Sequence, residues 1–359
     1  MRSNRGRWRA GVVAACGLAL AVGCSLVTSY DGFVKAGATC GKRIPERPAS
    51  GRGTTGPELL GAATALQFLQ AQDAAPLGYD LDKLCTCPDK RACANPQATG
   101  QQCDIPNTGI DNAAGQILAV LYPPQANSRL LDSLTHGKNG LIVRVQDWDG
   151  TPNDADVKVS IYNVVGLKGD EEGGAPARLD GTDEFIVDEA SLLNPQDLGS
   201  RFFDTSAYVT NGVLVASLDF DFRLEVPNLL GGGDAASATS VTVIPLTTAR
   251  LVGKIERVGA SGLRMTSAQL VGRVPVDRIF ADLPSLGLCQ NNPGFAQIKG
   301  TACAALDLPV NPTQDGKNGL CDALSFAIGL TLGPARLGGH ALAAAASNPC
   351  GVEPTPKCQ

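Results

Sequence analysis

The chain has 359 residues, 30 basic and 35 acidic side chains and a formal charge of −5, a length that suits two domains or one large decorated one. The shortage of positive charge excludes a nucleic-acid partner, which needs a basic footprint on the phosphates, and a polybasic membrane patch. Only 5% of residues are Phe, Trp or Tyr, which weakens the case for a broad sugar-stacking surface.

Arg2, Arg5, Arg7 and Arg9 precede an apolar run over residues 10–22, and Gly23-Cys24-Ser25 follows. A positive head, a short apolar stretch and small residues before a cut describe an export signal. At about 13 residues the run is too short for an ordinary membrane-spanning helix. Ala21-Val22-Gly23-Cys24 resembles the lipobox of bacterial lipoprotein precursors, with Ala21 where that family most often has leucine. The resemblance implies removal of residues 1–23 and coupling of diacylglycerol to the Cys24 thiol. Ser25 in place of Asp implies the outer membrane or cell surface. Loss of the four arginines leaves a charge near −9. Attachment then comes from the acyl chains, at about 0.8 kcal/mol per buried methylene. The body is similar to uncharacterised exported lipoproteins of large-genome soil bacteria.

Residues 24–56 read as a tether, rich in Gly, Pro, Ser, Thr and Arg and without an apolar period. Residues 57–138 read as a small helical, cysteine-rich region. Thr55 and Glu58 have capping-box spacing, and Leu59, Ala62, Ala63, Leu66 and Leu69 recur at helical intervals. Pro76 and Gly78 would stop that helix. Asp111-Asn112 can cap a second helix, and Asn127 or Ser128 a third that closes at Gly137. The segments 78–82 (Gly-Tyr-Asp-Leu-Asp) and 109–112 (Gly-Ile-Asp-Asn) flank the cysteine-rich loop. They fit caps and Asx-turns, or a joint cation site.

Residues 139–287 change to short β-branched runs separated by Gly, Asn and Asp. Leu141, Val143 and Val145 alternate with polar or outward positions, as do Val157, Val159 and Ile161. Asn211-Gly212 is a hairpin signal. About eight short strands predict a mainly β fold with an antiparallel β-sandwich or jelly-roll core. Residues 275–287 predict one helix. Residues 288–359 read as a disulfide-rich C-terminal appendage with an apolar run at 323–332.

With Cys16 in the signal and Cys24 lipidated, ten cysteines remain: Cys40, Cys85, Cys87, Cys93, Cys103, Cys289, Cys303, Cys321, Cys350 and Cys358. An even number in an exported chain predicts disulfides. The spacing of Cys85, Cys87 and Cys93 is not that of zinc knuckles, and no His is near. Clustering predicts pairing within 85–103 and within 289–358.

No nucleophile elbow, P-loop, zinc-peptidase or dinucleotide pattern occurs, and the reading leans away from an enzyme. The two histidines, His136 and His340, fall in loops. Acids such as Asp183, Glu184, Asp219 and Asp221 leave a carboxylate-based hydrolase open. Two loops suggest calcium. Asn311, Thr313, Asp315 and Asp322 stand at positions 1, 3, 5 and 12 of a twelve-residue loop with Gly316 at 6. That order resembles EF-hand and dockerin-like loops, apart from Asn at position 1, Asp at 12, and Pro312 and Cys321 inside. A polar turn tied by a disulfide is the alternative. Asp147, Asp149, Asp154 and Asp156 crowd the second loop around Trp148. Bridging by a cation would relieve their repulsion; Trp148 would either stack on a sugar or plug the end of the fold.

The expected function is a lipid-anchored, non-enzymatic surface module binding a glycan, a cell-wall component or a protein. A polysaccharide hydrolase and a purely structural envelope lipoprotein are the alternatives.

Overall fold

The computed structural model describes residues 42–49, 55–68, 76–84, 91–98, 109–121, 126–169, 176–218, 221–227, 241–343, 348–351 and 356–358. The signal, the lipobox with Cys24, most of the tether, and Cys40, Cys85, Cys87 and Cys103 lie outside them. The protein is mainly β, as its β-branched runs predict.

One sheet carries the fold. Its strands are β1 (Leu59–Gln67), β2 (Gly140–Gln146), β3 (Asp154–Leu167), β4 (Glu184–Asp188), β7 (Phe202–Thr210), β8 (Val213–Leu218), β9 (Phe222–Pro227), β10 (Val241–Val258), β11 (Gly262–Pro275), β12 (Ala323–Pro334) and β13 (Arg336–Ala341). β5 (Leu192–Asn194) and β6 (Gly199–Ser200) form a separate small pair. Antiparallel neighbours run β3-β2-β1-β12-β11-β10-β8-β7. β7 then pairs back onto β3, Val209 opposite Asp154 and Phe202 opposite Ile161. The sheet therefore curls until its ends meet, and eight strands have a partner on both edges. β4, with β13 parallel to it, extends the far half of β3, and β9 extends the first half of β10.

Alternation sorts the side chains. Val143, Val145, Val157, Val159, Ile161, Val209, Leu214, Leu251 and Met265 are buried in one cluster inside the curl. Ile142, Tyr162, Val164, Phe185 and Val187 form a second cluster outside it. The hairpin signal holds: Asn211 and Gly212 have φ of 51° and 75°, and Thr210 faces Val213.

Residues 59–67 correct the helix expectation; they are β1. Leu59, Ala63 and Leu66 face the inner cluster and Leu60 and Ala62 the outer one, so both faces are covered and the apolar spacing imitates a helix. Gly61 is required here, because a Cβ would lie 2.7 Å from the Leu263 carbonyl oxygen. The C-terminal segment is no appendage either. β12 sits between β1 and β11 in the middle of the sheet. Its run from Leu324 to Leu330 is buried, as a strand with neighbours on both sides requires.

Part of the tether is docked. Lys42 lies 4.9 Å over the Tyr79 ring and Arg47 4.9 Å over Tyr208. Tyr208 donates to the Pro45 carbonyl at 2.5 Å. Cation–π contacts and carbonyl hydrogen bonds fix a segment that lacks an apolar period.

The helices are α1 (Ala113–Leu121), α2 (Ala126–Thr135), α3 (Val276–Asp282) and α4 (Pro293–Ala304). The Asn112 side chain caps α1, accepting from Gly115 N–H at 3.1 Å. α2 begins at Ala126, so Asn127 and Ser128 lie inside it, and it closes at Gly137 with φ 65°. The helix expected over 275–287 is α3 followed by a 3-10 turn at Leu283–Leu286.

Cys289 pairs with Cys350 and Cys303 with Cys358, within the predicted cluster. Cys93 departs from it and pairs with Cys321, 228 residues away, at the foot of β12. Closing so long a loop removes much unfolded-state entropy. Replacing Cys93 and Cys321 together by Ser is expected to lower unfolding free energy by about 4 kcal/mol, read from urea midpoints of oxidised protein.

Candidate metal centre

Gln269, Val271 and Arg273 alternate along the outer face of β11. Val271 packs with Leu77 and Ala327 in a small apolar cluster, which lays residues 76–84 across the strand. Gln269 accepts from Gly78 N–H at 2.8 Å. Arg273 is only 2% exposed. It makes a two-pronged contact with Asp315, Nη1 to Oδ1 at 2.7 Å and Nη2 to Oδ2 at 2.6 Å. It also donates to the carbonyls of Pro309 at 2.6 Å and Leu81 at 3.4 Å. One guanidinium thus ties the 76–84 and 309–316 segments to the sheet.

Residues 109–112 lie beside 78–82. Tyr79 and Asp111 form a β-bridge, and Asp111 Oδ2 accepts from Leu81 N–H at 2.7 Å. Asn112 Oδ1 accepts from Ala327 N–H at 3.0 Å, locking this segment to β12. Asp82 Oδ1 accepts from Leu84 N–H at 2.7 Å, in a turn where Lys83 has φ 61°. These constraints bring Asp80, Asp82 and Asp111 together, one oxygen from each within 4.8 Å of the others, all three residues buried. Among the described residues this is the cluster of His, Cys, Asp or Glu ligands that could hold a metal.

Asp80 stands apart within it. Its side chain is fully buried and neither carboxylate oxygen has a hydrogen-bond partner. The Arg43 Nε, on a largely exposed side chain, is 3.7 Å from Oδ2. Burial pushes the Asp80 carboxyl above its ordinary range; the nearby Lys83 and Leu84 amides, Asp82 and Arg43 offset this only in part. Three hard oxygen donors suit calcium or magnesium rather than zinc or copper.

The two loops singled out by spacing are arranged differently. Asp315 is held by Arg273, Asn311 Oδ1 accepts from Thr313 N–H at 3.0 Å, and Asp322 Oδ1 accepts from Val310 N–H at 2.6 Å. The loop's oxygens serve separate protein donors in a disulfide-tied turn, the alternative reading of that sequence. In the other loop Asp147 pairs with Lys158 at 2.8 Å, Asp149 Oδ1 accepts from Thr151 N–H at 2.8 Å, and Asp154 Oδ1 from Asp156 N–H at 3.1 Å. Trp148 is 5% exposed and donates its indole N–H to the Thr151 carbonyl at 2.9 Å. It plugs the fold and offers no face to a sugar. Gly56 lets the chain pass over it: a Cβ would fall 1.8 Å from the Trp148 carbonyl oxygen.

The acids raised for hydrolysis are dispersed. Asp183 accepts from Leu179 N–H, Glu184 pairs with Lys168 and Asp221 with Arg278; Asp219 lies outside the described residues. His340 Nδ1 meets Glu189 at 2.9 Å and His136 Nδ1 meets the Asp132 carbonyl at 2.8 Å. An acid pair that composition gave no hint of joins β9 to the end of β4. Glu225 is pushed up to about 7, first by burial and then by the Asp188 charge and a hydrogen bond to it. Asp188 Oδ2 is itself buried and has no hydrogen-bond partner.

In comparisons with known proteins, the chain matches no family model, no curated protein and no solved structure.

Glu225 holds its proton more tightly folded than unfolded. Its contribution is therefore full below about pH 4.5 and is lost as pH rises towards 7. Between pH 5 and 7 the wild type is expected to lose about 2 kcal/mol through this group; Glu225→Gln removes that slope in urea titrations. Asp315→Asn strands the buried Arg273 charge and is expected to cost about 3 kcal/mol, measured the same way at constant pH.

Proposed function

We propose that this is an exported lipoprotein, anchored through diacylglycerol on Cys24 to the outer membrane or cell surface. Its mainly β body would serve as a non-enzymatic binding module for a glycan, a cell-wall component or a protein. The observation that carries the exported reading is the oxidised state of the body. Cys93, Cys289, Cys303, Cys321, Cys350 and Cys358 are all disulfide-bonded, and such bonds persist in oxidising compartments. The charged head, short apolar run and Ala21-Val22-Gly23-Cys24 lipobox support the anchor. Among the described residues no helix is long and apolar enough to cross a membrane; an acylated N-terminus needs none. A binding role rather than catalysis is supported by the acids and histidines above, whose partners are structural.

In a bacterial host the full chain is expected to incorporate labelled palmitate and to sediment with membranes. Cys24→Ser is expected to abolish labelling and release the protein into the soluble exported fraction. Wild-type protein without label, recovered in the soluble fraction, would refute the anchor.

A further inference from the structure

We propose that Asp80, Asp82 and Asp111 form a calcium site that clasps the two ends of the cysteine-rich loop. This does not depend on the lipid anchor or on the ligand of the body. Two separate observations carry it. The first is convergence: one oxygen of each carboxylate lies within 4.8 Å of the others, the span that an ion with oxygens about 2.4 Å away on opposite sides bridges. The second is the Asp80 side chain, fully buried, in contact with this cluster and without a hydrogen bond to either oxygen. A carboxylate buried without a partner is costly. Arg43 at 3.7 Å, with its side chain 65% exposed, is a weak and solvent-screened counter-charge.

The donor set names the ligand class. All three donors are carboxylate oxygens, with no sulfur or imidazole, which selects a hard divalent cation. Calcium fits better than magnesium because it accepts irregular geometry and long ligand distances, whereas magnesium demands a tight octahedron. The site's place gives its consequence. Asp80 and Asp82 belong to the segment held by Arg273 through the Leu81 carbonyl, and Asp111 to the one locked on β12 through Asn112. An ion joining them fastens the 78–82 and 109–112 segments to each other over β11 and β12.

The test is calorimetric titration of calcium into the full oxidised chain, purified in detergent and stripped with EDTA, beside thermal unfolding in EDTA and in millimolar calcium. One calcium per chain is expected, with a rise in Tm. Asp80→Asn and Asp82→Asn are each expected to weaken binding at least tenfold and to remove the calcium-dependent rise. Asp80→Asn gives up no hydrogen bond, so it is also expected to unfold at or above the wild-type temperature in EDTA. That separates a lost ion site from a damaged fold. Asp149→Asn and Asp322→Asn, in the two loops of suggestive spacing, are expected to bind as wild type does. Folded wild-type protein that takes up no calcium at millimolar concentration would overturn the proposal. So would undiminished binding in Asp80→Asn, loss of binding in Asp149→Asn or Asp322→Asn, or tighter binding of magnesium than of calcium.

Discussion

Everything in this fold waits on the seating of β12 between β1 and β11. Those two strands come from opposite ends of the body, and β12 supplies the hydrogen-bonding edge each needs. Without it β1 and β11 would meet only where Leu60 pairs with Gly262, and the rest of both edges would be open. Contacts of such long sequence separation are closed at a large entropic cost. The Cys93–Cys321 bond acts at that point, tying the foot of β12 to the cysteine-rich region. The β7–β3 pairing then removes the last free edge of the ring, which leaves little exposed ladder for association with other chains.

Closing the sheet forces some side chains outward, and the outer face of β11 shows how this is handled. Val271 is covered by Leu77 and Ala327, while Arg273, one step along the same face, is covered by two loops. Four hydrogen bonds from its two terminal nitrogens answer a carboxylate and two main-chain carbonyls. A buried ion pair of this kind adds little net stability over an apolar equivalent, but losing one partner is severe. Its use here is to specify position. It sets where residues 76–84 and 309–316 cross the strand, and so where Asp80 and Asp82 stand relative to Asp111.

Sequence periodicity read the strands from 140 to 275 because one face of each is apolar and the turns carry their own signals, Asn211-Gly212 above all. It failed at β1 for a physical reason. A strand covered on both faces has no two-residue alternation, and Leu59, Ala62, Ala63 and Leu66 happen to satisfy a helical spacing as well. β12 was visible only as an apolar run, since nothing local says that it lies at the centre of a sheet. The calcium-like loop at 311–322 shows the same limit. Spacing along the chain records which oxygens can converge; it does not record that Arg273, on another element, holds the central one. The pairing of 78–82 with 109–112 was legible because two short Asp-containing turns flank one loop. The Glu225–Asp188 pair was not, because its members lie on different strands with no shared motif.

The acids of this chain sort themselves by what answers them. Asp147, Glu184 and Asp221 meet Lys or Arg near the surface. Asp149, Asp204 and Asp307 accept from hydroxyls or main-chain N–H groups. Asp315 faces a buried guanidinium, and Asp188 lies near the Glu225 carboxyl, which burial pushes up to about 7. Each is a different solution to the same constraint, that charge removed from water must be neutralised or hydrogen-bonded. Asp80 is answered least: its side chain is fully buried, neither oxygen has a hydrogen-bond partner, its one nearby cation is largely exposed at 3.7 Å, and two further carboxylates crowd it. Without a cation, packing of the 76–84 and 109–112 segments would press three acids together against electrostatics. With one, the same packing makes the cage, and the arrangement conforms to the rule that the rest of the molecule obeys.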